Sequence, residues 1–134
     1  MPMMAYFWIA CGGALGSMAR YWLSGVVARH VGETFPWGTI IVNISGSFLI
    51  GLIASVMGPD GRWLVPVWFR QHFLMLGICG GYTTFSSFSV QTLNLVQDGE
   101  WLHAGGNVVV SVVACLVAVW AGHAMGVKFN SSPA

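Results

Sequence analysis

Between Thr34 and Pro59 the chain carries no acidic or basic side chain, and three further stretches repeat the pattern almost unbroken. They run from Met3 to Ala28, interrupted only by Arg20, from Gln71 to Gln97, and from Trp101 to Val127. Each is longer than the roughly 20 residues an α-helix needs to cross the hydrocarbon layer of a bilayer. Of the 134 residues 56% are hydrophobic and only 7% charged, with mean hydropathy +0.74, too few charges to cover a soluble globule. The expected architecture is an all-α membrane protein of four transmembrane helices in one domain, 1–134, with spans at approximately 4–28, 35–58, 69–97 and 101–126. A frayed tail is expected from Asn130 to Ala134. No basic region precedes the first apolar run and no small-residue cleavage site follows a short one, so that run is read as a retained span rather than a removed signal peptide.

The third span is the anomalous one. Its centre is Gly80-Gly81-Tyr82-Thr83-Thr84-Phe85-Ser86-Ser87-Phe88-Ser89. In hydrocarbon a hydroxyl or a broken backbone hydrogen bond has no water to turn to, so these groups must face protein, a water-filled cavity or an ion. A helix break is expected near the middle of this span, at the glycine pair, although Gly80 and Gly81 read equally well as a packing notch. A break would free carbonyl oxygens that suit a hard cation. Tyr82, Phe85, Phe88 and Gln91 recur every third residue, a gently drifting stripe whose ring edges carry positive potential and can face an anion. Aromatic packing is the plainer reading of the same stripe.

Two other spans carry polar lines. Thr39, Asn43 and Ser47 stand at i, i+4 and i+8 of the second, and Asn107, Ser111 and Cys115 repeat the spacing in the fourth. Either line alone reads as interhelical glue; together with the hydroxyl-rich third span they suggest a polar track. Arg20 is the one charge well inside a span, either snorkelling toward the Arg29 side or furnishing an anion-attracting vestibule. Gly12-x3-Gly16, Gly13-x3-Ser17, Ser47-x3-Gly51 and Gly122-x3-Gly126 fit close helix packing. Trp8, Trp37, Trp63, Trp68 and Trp101 fall near span ends, where amphipathic rings favour the membrane interface.

The spans hold no Asp or Glu, and His30, His72, His103 and His123 are scattered without metal-ligand spacing. Proton-coupled transport and acid–base catalysis need a titratable group in the path, so a channel is favoured over a pump, and an enzyme is not expected. Cys11, Cys79 and Cys115 are odd in number, lie inside apolar spans and read as free thiols. Net charge +1 with five Lys and Arg argues against nucleic acid and against a polybasic lipid-binding surface. With four spans, Arg62, Arg70 and Lys128 fall on the side of the termini and Arg29 on the other. This bias is weak and open to two readings: both termini in the cytoplasm, or insertion both ways with antiparallel pairing.

Gly80 to Ser89, with Gly38-Thr39 and Asn43 upstream and Gly16-x3-Arg20 in the first span, resembles the Fluc-type fluoride ion channels of microbes over nearly the whole chain. The resemblance implies an antiparallel, dual-topology homodimer in the cell (inner) membrane, with two fluoride pores that export the ion passively. It further implies a structural Na+ at the dimer centre, held by backbone carbonyls that match Gly80 and Thr83. Phe85 and Phe88 match the two pore-facing phenylalanines of that family, Asn43 its pore asparagine and Thr39 the hydroxyl one turn away. Arg20 matches a characteristic arginine, while Ser111 and Cys115 fall on a polar track whose second position is often serine. Gln91 stands where many members carry glutamate, so no charge-dependent role transfers. Fluoride is small and strongly hydrated, and a dry path must replace its water with closely spaced donors without a fixed cation that would trap it. A small proton-coupled multidrug-type transporter shares the four-span plan but needs a membrane-embedded carboxylate; a membrane scaffold without transport is the third reading.

Overall fold

A computed structural model describes residues 2–132, so Pro133 and Ala134 of the expected tail lie outside the described residues. Helices form the framework and no strand occurs among the described residues. α1 is Pro2–Val31 and α2 is Trp37–Val56. A π-wound segment, Trp68–Cys79, leads into the single turn α3, Gly80–Tyr82. Two extended residues separate it from α4, Phe85–Gln97, and α5 is Trp101–Ser131. Three helical stretches are long and apolar enough to cross a membrane: Trp37–Val56, Trp68–Gln97 and Trp101–Ser131. α1 matches them in length at 30 residues, but Arg20 and its Tyr, Trp and Gly residues dilute its apolar content.

Short, well-capped turns set the helices side by side. α1 ends at Gly32, whose φ of +85° suits a residue without Cβ and whose N–H bonds the Ala28 carbonyl at 2.9 Å. After α4, Gly99 (φ +78°) closes a paired cap in which Gly99 N–H reaches Val96 O at 3.0 Å and Glu100 N–H reaches Leu95 O at 2.8 Å. At the opposite end, Arg70 Nη1 donates to Met57 O at 2.7 Å, placing a cation on the C-terminus of α2. Asn130 and Ser131 are helical rather than frayed. Asn130 Nδ2 donates to Ser55 O (3.1 Å), and its Oδ1 accepts the Arg62 N–H (3.1 Å), so the end of α5 is tied to the loop after α2.

Two glycine-lined seams hold the bundle. α2 packs chiefly on α5, and α1 on the π-wound segment and α3. In the first seam a Cβ at Gly51 would overlap the Val119 carbonyl oxygen, and one at Gly122 would overlap that of Phe48. In the second, a Cβ at Gly16 would overlap the Ile78 carbonyl, and one at Gly81 would lie 2.5 Å from Gly13 O. Without a hydrophobic drive between helices in lipid, such backbone approach supplies much of the association energy through dispersion. The small-residue spacings therefore serve packing within the chain. The outer faces stay apolar, with Leu15, Val109, Val113, Leu116 and Trp120 among the exposed side chains, which fits contact with lipid or another protein rather than water.

The tryptophans pair across helix ends: Trp8 stacks on Trp68 at 4.5 Å, Trp37 meets Phe35 and Trp63 meets Phe129. α5, at 31 residues, is roughly 45 Å long and exceeds the ~30 Å hydrocarbon layer, so its last turns and the Arg62 contacts belong to an interface.

Candidate functional site: a broken helix between two cavities

The break falls at Thr83 and Thr84, not at the glycine pair. Gly80 and Gly81 are helical, and Gly81 is used for its close approach to α1, where its carbonyl oxygen accepts Ser17 Oγ at 3.4 Å. Thr83 (φ −79°, ψ 157°) and Thr84 (φ −152°, ψ 111°) are extended, conformations that β-branched residues adopt readily. What sustains an extended pair inside an apolar bundle is a set of replacement hydrogen bonds centred on Thr84.

Asn43 supplies the first replacement. Its Oδ1 accepts the Thr84 N–H at 2.7 Å and its Nδ2 donates to the Thr84 carbonyl at 3.0 Å, so one side-chain amide pairs with the backbone as a neighbouring strand would. Thr84 supplies the second: its Oγ1 accepts the Ser87 N–H at 3.1 Å as N-cap of α4 and bonds the hydroxyls of Ser86 and Ser87 at 3.2 and 3.0 Å. Tyr82 and Ser45 brace the turn from α2, their hydroxyls 2.7 Å apart. Ser45 spends its proton on the Ile41 carbonyl (2.8 Å), so the phenol is the donor of that pair.

These diversions have a consequence for the carbonyls. In a continuous α-helix Thr84 N–H would bond Gly80 O and Ser87 N–H would bond Thr83 O. Both donors are taken, by Asn43 Oδ1 and Thr84 Oγ1, so Gly80 and Thr83 lose their regular i+4 partners. By contrast, the Cys79 carbonyl receives both the N–H and the Oγ1 of Thr83, at 2.9 and 2.8 Å.

Two cavities meet at this point, and among the described residues Thr84 is the one that lines both. The larger, about 940 Å³, reaches from Gly32, Glu33 and Asp98 at one end of the bundle to Arg20, Thr39, Ser87 and Gln91 deeper in. The smaller, about 500 Å³, is lined by Asn43, Phe85, Phe88, Ser111 and Cys115 together with Gly80 and Thr83. The sequence-predicted residues thus divide: seven of the nine gather around the smaller cavity, while Thr39 and Arg20 face the larger. Arg20 is half-buried, and its guanidinium forms no hydrogen bond among the described residues.

The aromatic stripe is split as well. The extended residues separate Tyr82 from α4, and three-residue steps drift about 60° each on a 3.6-residue helix. Phe85 and Phe88 therefore stay together, ring centroids 5.1 Å apart, while Gln91 turns to the larger cavity. Phe88 is 8% exposed and Phe85 76%, so Phe85 presents its ring at the outer face of this chain.

On α5 the polar line is a hydrogen-bond chain. Asn107 Nδ2 donates to Thr92 Oγ1 (2.8 Å), Thr92 Oγ1 donates to the Phe88 carbonyl (2.8 Å), and Ser111 Oγ donates to Asn107 Oδ1 (3.2 Å). Thr92 and Ser45 escaped sequence reasoning. Thr92 could have been found as the hydroxyl one turn after Phe88, and the capping role of Thr84 from the hydroxyl three residues on, at Ser87. Ser45, off the Thr39-Asn43-Ser47 line, gave no signal. Among the described residues no group of three or more His, Cys, Asp or Glu could hold a metal ion, and the three thiols are free.

Residues 7–123 match the family described as "CrcB-like protein, Camphor Resistance (CrcB)". Among curated relatives, a protein of Opitutus terrae named "Fluoride-specific ion channel FluC" is 61% identical over 129 residues, covering 96% of this chain and 97% of its own. Proteins of the same name from Rhodospirillum rubrum and Methylocella silvestris are 58% and 55% identical, each over 95% of this chain and 98% and 96% of their own lengths. The long glycine, threonine and phenylalanine signature, the helix break it encodes and a match over nearly the full length agree: the chain belongs to the CrcB-like family.

Proposed function

We propose that this chain is a fluoride-selective ion channel, not an enzyme, and that it lets fluoride leave the cell passively. The observation that carries the reading is the 61% identity, over 96% of the chain, to a relative named as a fluoride-specific channel. The geometry supports a route. Fluoride gathers in the larger cavity near Arg20, passes Thr39 and Ser87, crosses at the Asn43–Thr84 pair and enters the smaller cavity between Phe85 and Phe88. The Asn43 amide spends one of its two N–H groups on the Thr84 carbonyl and keeps the other for an ion. Ring edges add positive potential without a fixed cation, so the ion is desolvated but not trapped. Glu33 and Asp98 stand only at the mouth of the larger cavity, and no acidic side chain lies deeper along this route, which favours passive flow over proton coupling.

The working unit in this reading is an antiparallel, dual-topology homodimer in the inner membrane, with α1 as a fourth crossing and two pores. The exposed Phe85 ring supports a partner surface there, as does the apolar outer face. A structural Na+ at the dimer centre would be held by the Gly80 and Thr83 carbonyls of each subunit, hard oxygens that suit it and whose regular helical donors are diverted. Such an ion would bind the two broken helices together.

Purified protein in liposomes loaded with fluoride and chloride tests the reading. Release of fluoride with retention of chloride is the expected result. Equal release of both, or of neither, contradicts it.

A further inference from the structure

The hydrogen-bond chain between α4 and α5 fixes the direction of every proton in it. The Phe88 carbonyl can only accept, so Thr92 commits its single hydroxyl proton there, 2.8 Å away. Thr92 Oγ1 is left with lone pairs and can only accept from Asn107, which must turn Nδ2 toward it at 2.8 Å. That sets Oδ1 on the other side, facing Ser111 at 3.2 Å, and two acceptors cannot bond each other, so Ser111 donates. Asn107 is 1% exposed and Ser111 7%, which removes water as an alternative partner for the amide. An amide so enclosed keeps its orientation because a flip would place Nδ2 against Ser111 and Oδ1 against a hydroxyl with no proton left to give.

We propose that Asn107 is a positioning residue that withdraws the Ser111 hydroxyl proton from the smaller cavity. Ser111 then presents lone pairs to the ion path, not a donor, while Asn43 supplies the N–H. The consequence is kinetic. A row of donors that all pointed inward would hold fluoride too well, and conduction needs sites weak enough to leave. Thr92 acts one step further back, as the anchor that keeps the Asn107 amide the right way round. The inference rests on the fluoride-channel reading and assigns roles within it.

Saturation of fluoride flux in liposomes tests it, because half-saturating concentration and maximal rate separate binding from passage. In Asn107→Leu, similar in size but without an acceptor, the Ser111 proton is released toward the cavity. The half-saturating fluoride concentration should fall about tenfold, the worth of one added hydrogen bond to an ion, and the maximal rate should fall with it. Adding Ser111→Ala to that variant should return the half-saturating concentration toward wild type. Thr92→Val leaves the amide free to take either orientation and should shift the same quantity in the same direction by a smaller factor, with Thr92→Ser restoring it.

A wild-type protein that passes no fluoride would sink the channel reading itself. A conducting wild type with unchanged half-saturation in folded Asn107→Leu and in Thr92→Val would overturn the role of Asn107 alone. So would a shift in Asn107→Leu that Ser111→Ala does not reverse. Should Asn107→Leu fail to assemble, the Thr92→Val and Thr92→Ser pair decides the question.

Discussion

The two cavities on either side of Thr84 are built from opposite chemistry. The larger is roomy, rimmed by Arg29, Glu33 and Asp98 and backed by Arg20, so a hydrated ion can enter it and feel a cation from a distance. The smaller holds two phenylalanine rings, the Asn43 amide, the hydroxyls of Ser47, Thr83, Thr84 and Ser111 and the Cys115 thiol among Ile50, Leu76, Val112 and Leu116, and offers an ion only short-range, uncharged groups. The contrast teaches where selectivity can live. Long-range attraction in the first cavity does not distinguish halides; exchange of water for a few fixed groups in the second does.

The largest effect should come from the residue that joins the two. Asn43→Leu removes both bonds to the Thr84 backbone and leaves an N–H and a carbonyl unpaired away from water. Each orphaned group costs about 1–3 kcal/mol, so a drop in melting temperature together with a loss of fluoride flux by 100-fold or more is expected. A variant that stays stable but stops conducting would assign Asn43 to the ion alone and not to the break.

Next come the rings. Phe88→Ile, at an almost buried position, should cost about 1–2 kcal/mol of stability and lower flux at least tenfold. Phe85→Ile, at an exposed one, should lower flux similarly with less than about 0.5 kcal/mol lost in the isolated chain. Unchanged flux in both would reduce the pair to packing and erase the chemical contrast between the cavities.

Away from the cavities, Gly51→Ala pushes a methyl group into the Val119 carbonyl and should cost about 1–3 kcal/mol by thermal unfolding, with selectivity intact. The smallest effect belongs to Arg20→Gln. Fluoride entry should slow a few-fold at low ionic strength, and the difference should vanish near 1 M salt, where the Debye length is about 3 Å. A defect that persists at high salt would move Arg20 from steering to direct contact.

Much of this could be read from the sequence because a bilayer leaves few options. Uncharged stretches of more than about 20 residues dictate helices, and polar residues inside them must meet one another. Asn43, Phe88, Ser111 and Cys115 were placed together on that ground and by family resemblance, and they line one cavity. The exact position of the break was not legible. Two glycines look like the weak point, yet glycine in a membrane helix is a packing residue when another backbone approaches, as Gly13 approaches Gly81. Thr83 and Thr84 break instead because an amide on another helix takes over their backbone bonds, and no local pattern announces a partner 41 residues away.

The division of labour between Thr39 and Asn43 was hidden for a related reason. Neighbours at i and i+4 share a face in projection, but the broken helix crosses that face between them and sends one residue to each cavity. Likewise the proton direction at Ser111 depends on Thr92, a residue that looks unremarkable in the sequence and acts only through Asn107.

The most direct measurement is a bi-ionic one on purified protein in a planar bilayer, with fluoride on one side and chloride on the other. The account predicts a reversal potential set by the fluoride gradient alone, with no current carried by chloride. A reversal potential near zero, the sign of equal permeability, would contradict it.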